Sequence, residues 1–352
     1  MRILFVTPQV PSRMRARSFN LLKALSKKHD IALVSLLVDK YDMALLKEVE
    51  PYCASIDLVP HTKWQSQANR LRALVTRIPL SIAALRSATL IQCLKEVVQR
   101  QHIDLIHAEV ITLVPALNAL REEIQIPIVY DAVNCASWLL QQKLDTTHDP
   151  LKRWFIQREM QKMRQFEASR LAQFEQIIIA SASDRDRLGL LMEHPHNIKV
   201  VSNCVDTDYF KPGRSRPRHT NSLIFCARLD NCSNAQAILH FCARILPLIW
   251  QAKPETCLTI VGPNPPIEVK ALEADKRITV TGYVPDTRSY LDSAAVALAP
   301  LLVPTGPQFK ILEALAMETP VVTTPRCSRA LGTSHGQHLL VAEGPRPMLK
   351  RS

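Results

Sequence analysis

Lys310 and Glu313 stand three residues apart in the segment APLLVPTGPQFKILEALAMETPVV, residues 299–322. The segment reads as a strand end, a polar loop, a helix and a second strand. Residues at i and i+3 share a helix face, so an ammonium and a carboxylate sit together near a helix N-terminus, where free N–H groups and the dipole attract anions. That is the chemistry of a diphosphate-and-ribose clamp. The same spacing also makes an ordinary exposed ion pair, worth under ~1 kcal/mol.

The elements that must carry this pair alternate between strand-length apolar runs and helical periodicity as far as about residue 340, the signature of parallel α/β architecture. Strands are predicted over 3–7, 31–36, 56–59, 105–107, 126–130, 176–180 and 198–202. Helices are predicted over 15–28, 41–49, 64–76, 82–101, 112–123 and 151–171, with another starting at Ser183 as N-cap and Asp186 as its capping acid. The stretch NCVDTDYFKPGRSRPRHTNS has no hydrophobic period and reads as a linker. After it the rhythm restarts, with strands at 223–226, 257–261, 278–281, 296–299 and 320–323 and a long helix over 235–249. The expectation is two doubly wound Rossmann-like domains facing a cleft, 1–202 and 221–352, joined by 203–220, with ligands at the carboxyl ends of the strands.

With 352 residues the chain exceeds what one core usually serves. The fractions of 47% hydrophobic and 22% charged residues are those of a soluble globular protein, and no apolar run is long enough to span a bilayer. Met1 to Val6 reads as a buried strand followed by a basic segment, not as a secretory leader. Nine cysteines without a C-x2-C pair argue against zinc and against a disulfide framework, and fit reduced cytosolic thiols. The net charge of +12 favours anionic partners. A nucleic-acid role rests on that charge alone, since no reading motif accompanies it, and no nucleic-acid partner is expected. Only eight glycines occur, the first at Gly189, so the amino-terminal half has no residue that adopts positive φ freely.

Pro300, Leu301, Gly306, Lys310, Leu312, Glu313, Ala314, Ala316 and the Pro320-Val321-Val322 run resemble the nucleotide-sugar site of glycosyltransferase family 4, a GT-B family, and especially the sugar transferases of exopolysaccharide and exosortase systems. VSNCVDTDYFKP resembles that family's linker motif, and LIFCARLDNCSNAQAILHFCARILPLI resembles the opening of its second domain. VTGYVPDTRSYLDSAAVALAPL matches a third run. The resemblance implies a retaining sugar transfer from a nucleotide-diphosphate donor to a glycolipid or polysaccharide acceptor, with no cofactor and no bound metal. It implies Lys310 and Arg228 on the phosphates, Glu313 on the ribose, and backbone around Tyr283 and Val284, after the Gly282 turn, on the base. Arg228 could instead pair with Asp230, and Gly282 could be a plain turn. IDLIHAE resembles the segment at the cleft end of the fourth strand, which makes His107 and Glu109 candidates for contact with the transferred sugar or the acceptor. YDAVNCASW places Asp131 at the same end.

Several departures accompany the resemblance. Thr305 stands where the family often has a glutamate, and Pro307, Gln308 and Phe309 replace a small-polar-Asn run, Pro307 removing one N–H from the loop. Ser233 stands where many relatives carry a second phosphate-binding lysine. Near the amino terminus TPQVPSRMRARSFNLLKAL lacks the two glycines of the family's P-x-x-P-x-x-GG-x-x-x-R-x-x-x-L pattern, so Arg13, Met14 and Arg15 should crowd the site, while Arg13 and Arg15 could still hold an anionic acceptor. After GQHLLVAEGP relatives continue through a further helix, whereas this chain reads PRPMLKRS, which should loosen the cleft. These losses keep open a degenerate, inactive relative that binds nucleotide or a protein partner. The segment 150–172 carries six basic residues (Lys152, Arg153, Arg158, Lys162, Arg164, Arg170) against two acidic ones beside Trp154, Phe155 and Phe166. Such a helix can lie on anionic lipid or simply cover a domain. The expected location is cytoplasmic, with contact at the inner face of the plasma membrane.

Overall fold

The computed structural model describes residues 1–38, 41–192, 197–213, 218–301 and 308–342. It divides into two compact units, Met1–Ser202 and Asn203–Ser352.

Among the described residues the first unit holds seven strands: β1 (Arg2–Thr7), β2 (Asp30–Leu37), β3 (Ser55–Pro60), β4 (Leu105–Glu109), β5 (Ile128–Val133), β6 (Gln176–Ile179) and β7 (Ile198–Val200). All pair parallel, in the order β3-β2-β1-β4-β5-β6-β7. Runs such as RILFVT and DIALVSLL are apolar on both faces because helices cover both sides of a parallel sheet. Leu4, Val6, Val34, Ile106 and Tyr130 pack on one side. Ile3, Phe5, Leu33, Phe19 and Leu22 pack on the other.

The second unit repeats the plan with β8 (His219–Cys226), β9 (Cys257–Val261), β10 (Ile278–Gly282), β11 (Ala294–Ala299), β12 (Val321–Thr323) and β13 (Leu340–Val341), in the order β10-β9-β8-β11-β12-β13. Strand order therefore reverses beside β1 in the first unit and beside β8 in the second. In open α/β sheets that reversal leaves a crevice at the carboxyl ends of the strands.

The helices depart from expectation in several places, among them the predicted 235–249 helix, which is two, Cys232–Arg244 and Leu246–Ala252, the second opening with Pro247 in its first turn. The predicted 82–101 helix is two, Leu80–Ala84 and Ala88–Arg100, because the Ser87 hydroxyl caps a new start by accepting from the Leu90 N–H at 3.1 Å. The cap predicted at Ser183 is Ser181: its hydroxyl accepts from the Asp184 N–H, and Asp184 in turn accepts from the hydroxyl. A helix over Ala136–Thr146 was not predicted, and its first N–H groups are satisfied from outside, by the buried Glu167 carboxylate on Ala136 and Ser137. The Pro150–Leu171 helix covers the unit along Ile156, Met160, Met163 and Leu171, and it buries Lys162, counted above among the surface cations, in an ion pair with Glu159 at 3.1 Å.

Much of the stretch read as linker packs on the second unit. Phe210 lies against its core, the Arg288 guanidinium sits 3.9 Å over the Tyr209 ring, and β8 already begins at His219.

Candidate active site

In the second unit the helix Phe309–Ala316 follows β11 at the point of strand reversal. It presents Lys310 and Glu313, both half-buried. Among the described residues the two make no ion pair with each other, which sets aside the reading of an ordinary surface salt bridge. The Lys310 ammonium instead donates to Asn234 Oδ1 at 2.6 Å and sits 5.2 Å from the Phe225 ring centroid. Loss of water drives the lysine down to about 8, opposed by the nearby Cys327, Cys226 and Glu313. It drives Glu313 up to about 7, opposed by Lys310. Each group is therefore close to titration at neutral pH, and an arriving anion or hydroxyl would find a charge that protein partners leave largely unneutralised.

Asn234 is held as well as holding. Its amide donates to the Arg228 carbonyl at 2.8 Å, tying the helix Cys232–Arg244 to the loop after β8. Arg228 itself forms a two-pronged pair with Asp230, at 2.7 and 3.2 Å, and holds that carboxyl below its ordinary range. The pairing with Asp230 weighed from the sequence is thus what the structure contains. Gly282 ends β10 in a left-handed conformation, φ 68°, with Tyr283 exposed and Val284 half-buried against the core. Leu312 is half-buried on the helix, while Gly306, Thr305 and Pro307 lie outside the described residues. Gly262, unremarked in the sequence, closes the loop from below: a Cβ there would stand 1.7 Å from the Ala227 carbonyl oxygen. Only glycine admits that approach.

In the first unit the ends of β4 and β5 bring three predicted residues together. Glu109 is the register partner of Asp131, and His107 lies two residues back on the same face of β4. Their ligand-capable atoms all fall within 4.8 Å of one another. His107 stacks on Phe5, its register partner on β1, at 4.4 Å between centroids. All three are buried. His107 Nε2 and Glu109 Oε1 face each other at 3.9 Å, and among the described residues neither has a hydrogen-bond partner. Such orphaned polar atoms are costly in a folded interior.

Arg17, which sequence reasoning passed over although it stands in the R-x-x-x-L pattern, completes this cluster. Its guanidinium grips both Asp131 oxygens, at 2.8 and 2.9 Å, and donates to the Val201 carbonyl at 2.9 Å. Burial raises the Asp131 carboxyl, and Arg17 opposes the rise. Both Asp131 oxygens are thus engaged by the guanidinium. The Ser18 hydroxyl donates to the other Glu109 oxygen in a short hydrogen bond. Arg13 and Arg15 are engaged elsewhere: Arg13 with Glu48, and Arg15 with the buried Asp42 at 2.6 Å and the Val10 carbonyl.

The turns that end β4 and β5 bear the mark of a glycine-free half-chain. Val110 and Val133 take positive φ, 69° and 61°, where a β-branched residue is strained by about 1–3 kcal/mol. Both are pinned through Asp131, whose carbonyl accepts the Val110 N–H and whose carboxylate accepts the Val133 N–H.

Residues 220–350 match the family model of glycosyl transferases group 1. No curated protein matches the chain by sequence. Among solved structures the chain is similar to Anabaena HepE in complex with UDP and glucose, with a TM-score of 0.68 at 14% identity over 99% of this chain and 88% of that one. It is also similar to the sucrose-phosphate synthase of Thermosynechococcus elongatus, with a TM-score of 0.70 at 13% identity over 99% and 88%. A Rickettsia africae glycosyltransferase aligns over 99% and 86% at 12% identity, with a TM-score of 0.66. At such identities the likeness establishes the fold, two parallel-sheet Rossmann-like units of GT-B type. Together with the group 1 match it supports a glycosyltransferase.

Proposed function

We propose that this chain is a retaining glycosyltransferase of the family 4 kind, taking a sugar from a uridine-diphosphate donor to a glycolipid or polysaccharide acceptor at the inner face of the membrane. The observation that carries the reading is the half-buried Lys310, aimed by Asn234 and three residues from Glu313 on the helix after β11. As the bond between sugar and diphosphate breaks, negative charge grows on the leaving phosphate. A positioned cation in a poorly hydrated site stabilises that charge far better than water-exposed lysine could. Glu313, once ionised, accepts from both ribose hydroxyls. In the first unit His107 and Glu109 are proposed to contact the transferred sugar or the acceptor, through the two atoms left without partners. Asp131 is proposed to hold their geometry from within the Arg17 fork, and Arg13 and Arg15 to add positive field on the acceptor side. The UDP and glucose bound in Anabaena HepE support the choice of a uridine donor.

A nucleotide binder without turnover is the second reading, favoured by the Arg228–Asp230 pair, which occupies a cation expected on the phosphates. Incubation with UDP-glucose and other uridine and guanosine sugar nucleotides, followed by measurement of released nucleotide, separates the two. Release of UDP above the rate of a Lys310→Ala variant is the expected result. Binding with no release across all donors would leave the second reading.

A further inference from the structure

The first unit carries an apolar face turned outward. On the helix Lys63–Ala73 and the turn after it, Trp64, Leu71 and Val75 are 81%, 68% and 91% exposed. Their spacing of seven and then four residues puts them on one side of a helix. A surface helix ordinarily turns such a stripe toward the core, whereas here Ala73 is the buried residue and the stripe faces solvent.

A second element joins this face. Arg158 of the Pro150–Leu171 helix donates to the Leu74 carbonyl at 2.7 Å, and Glu159 of the same helix accepts from the Leu80 N–H at 2.7 Å. Trp154 lies one turn before Arg158, whose guanidinium stands 6.0 Å from its ring. Trp154, Leu151 and Phe155 are exposed there. Cations predominate around them, although Asp149 at the start of the second helix pairs with Lys152 at 3.8 Å. No acidic residue occurs between Asp57 and Glu96, or between Asp149 and Glu159. Lys63, Arg70, Arg72, Arg77, Lys152 and Arg153 are all exposed.

We infer that this face, formed by the 63–75 segment and the first turns of the Pro150–Leu171 helix, docks the protein onto a bilayer rich in anionic headgroups. Exposed tryptophans with one apolar and one polar edge suit the headgroup boundary, and a rim in which cations outnumber acids suits a negative leaflet. The inference rests on the membrane-face part of the reading above and on no part of the sugar chemistry.

The test uses the full chain in sedimentation with vesicles of phosphatidylglycerol mixed into phosphatidylcholine, against vesicles of phosphatidylcholine alone. Expected is binding to the anionic vesicles only, weakened by roughly 0.5 M salt as screening shortens to a few ångströms. A Trp64→Ser/Val75→Ser/Trp154→Ser variant and an Arg70→Glu/Arg72→Glu/Lys152→Glu variant should each lose at least about tenfold in vesicle affinity. All these positions are exposed, and uridine nucleotide binding, measured on the same preparations, should be unchanged. Equal binding to both vesicle types, no binding, or binding undiminished in the variants would overturn the inference while leaving the nucleotide reading standing. Loss of self-association in the variants without any lipid binding would overturn it too, and would assign the face to a second copy of the chain.

Discussion

Asn234 and Lys310, seventy-six positions apart in the chain, meet at 2.6 Å between Oδ1 and Nζ. The same asparagine amide is anchored on the Arg228 carbonyl. One side chain therefore fixes where the only cation contributed by the helix after β11 points, and it does so without neutralising that cation.

Replacing Asn234 should reveal this. Asn234→Ala is expected to weaken uridine nucleotide binding by about threefold to tenfold, the loss of one charge-assisted hydrogen bond. Asn234→Asp should weaken it further, because a carboxylate at that distance competes with the phosphate and raises the lysine. Calorimetry across pH distinguishes the two: only the aspartate variant should carry the alkaline limb to higher pH.

The pH dependence of binding follows from the two perturbed groups. Lys310 sits near 8 in the free protein, and a bound diphosphate favours its charged form, so binding takes up a proton above that pH and affinity falls as pH rises through about 8. Glu313 sits near 7, and its ionised form is the one that accepts both ribose hydroxyls, so affinity falls as pH drops through about 7. UDP-glucose, whose phosphates keep a fixed charge over this range, should therefore bind best between about 7 and 8. Glu313→Gln should remove the acid limb and keep the alkaline one.

The buried Arg17–Asp131 fork is expected to govern stability of the first unit. Arg17→Met leaves a carboxylate uncompensated at the end of β5 and should cost on the order of 3–5 kcal/mol in chemical denaturation. Adding Asp131→Asn in the same chain should return part of that loss, since the stranded charge is then gone. Equal destabilisation in single and double variants would show that packing, not charge, holds this corner.

Val110 and Val133 make an unusual case for glycine. Truncating a half-buried valine ordinarily destabilises by 1 kcal/mol or more, and glycine adds a loss of backbone entropy. Here relief of positive-φ strain offsets both, so Val110→Gly and Val133→Gly should each fall within about 1 kcal/mol of the parent. Val110→Ala and Val133→Ala, which keep the strain and lose packing, should be worse than the glycine variants.

The layout was readable because parallel sheets write continuous apolar runs: RILFVT, DIALVSLL and CLTIV could hardly be anything but buried strands. The pairing of Glu109 with Asp131 was partly legible too, since both sit at the ends of such runs. The roles of Arg17 and Asn234 were not, although Arg17 stands in the R-x-x-x-L pattern, because each acts across a long sequence separation on a partner that its own segment does not show. The helix at Ala136–Thr146 escaped for a similar reason, its cap being Glu167, thirty-one residues beyond Ala136. The double helix at 80–100 was missed because Ser87, a cap by chemistry, was read as part of one long periodic run.

Everything in the proposed reaction turns on an anion arriving at Lys310, and titration calorimetry of UDP against the wild type and Lys310→Ala tests that most directly. The account predicts micromolar-range or millimolar-range binding that the substitution weakens by at least about tenfold, the worth of a charge-assisted phosphate contact. Equal affinity in the two proteins would contradict it.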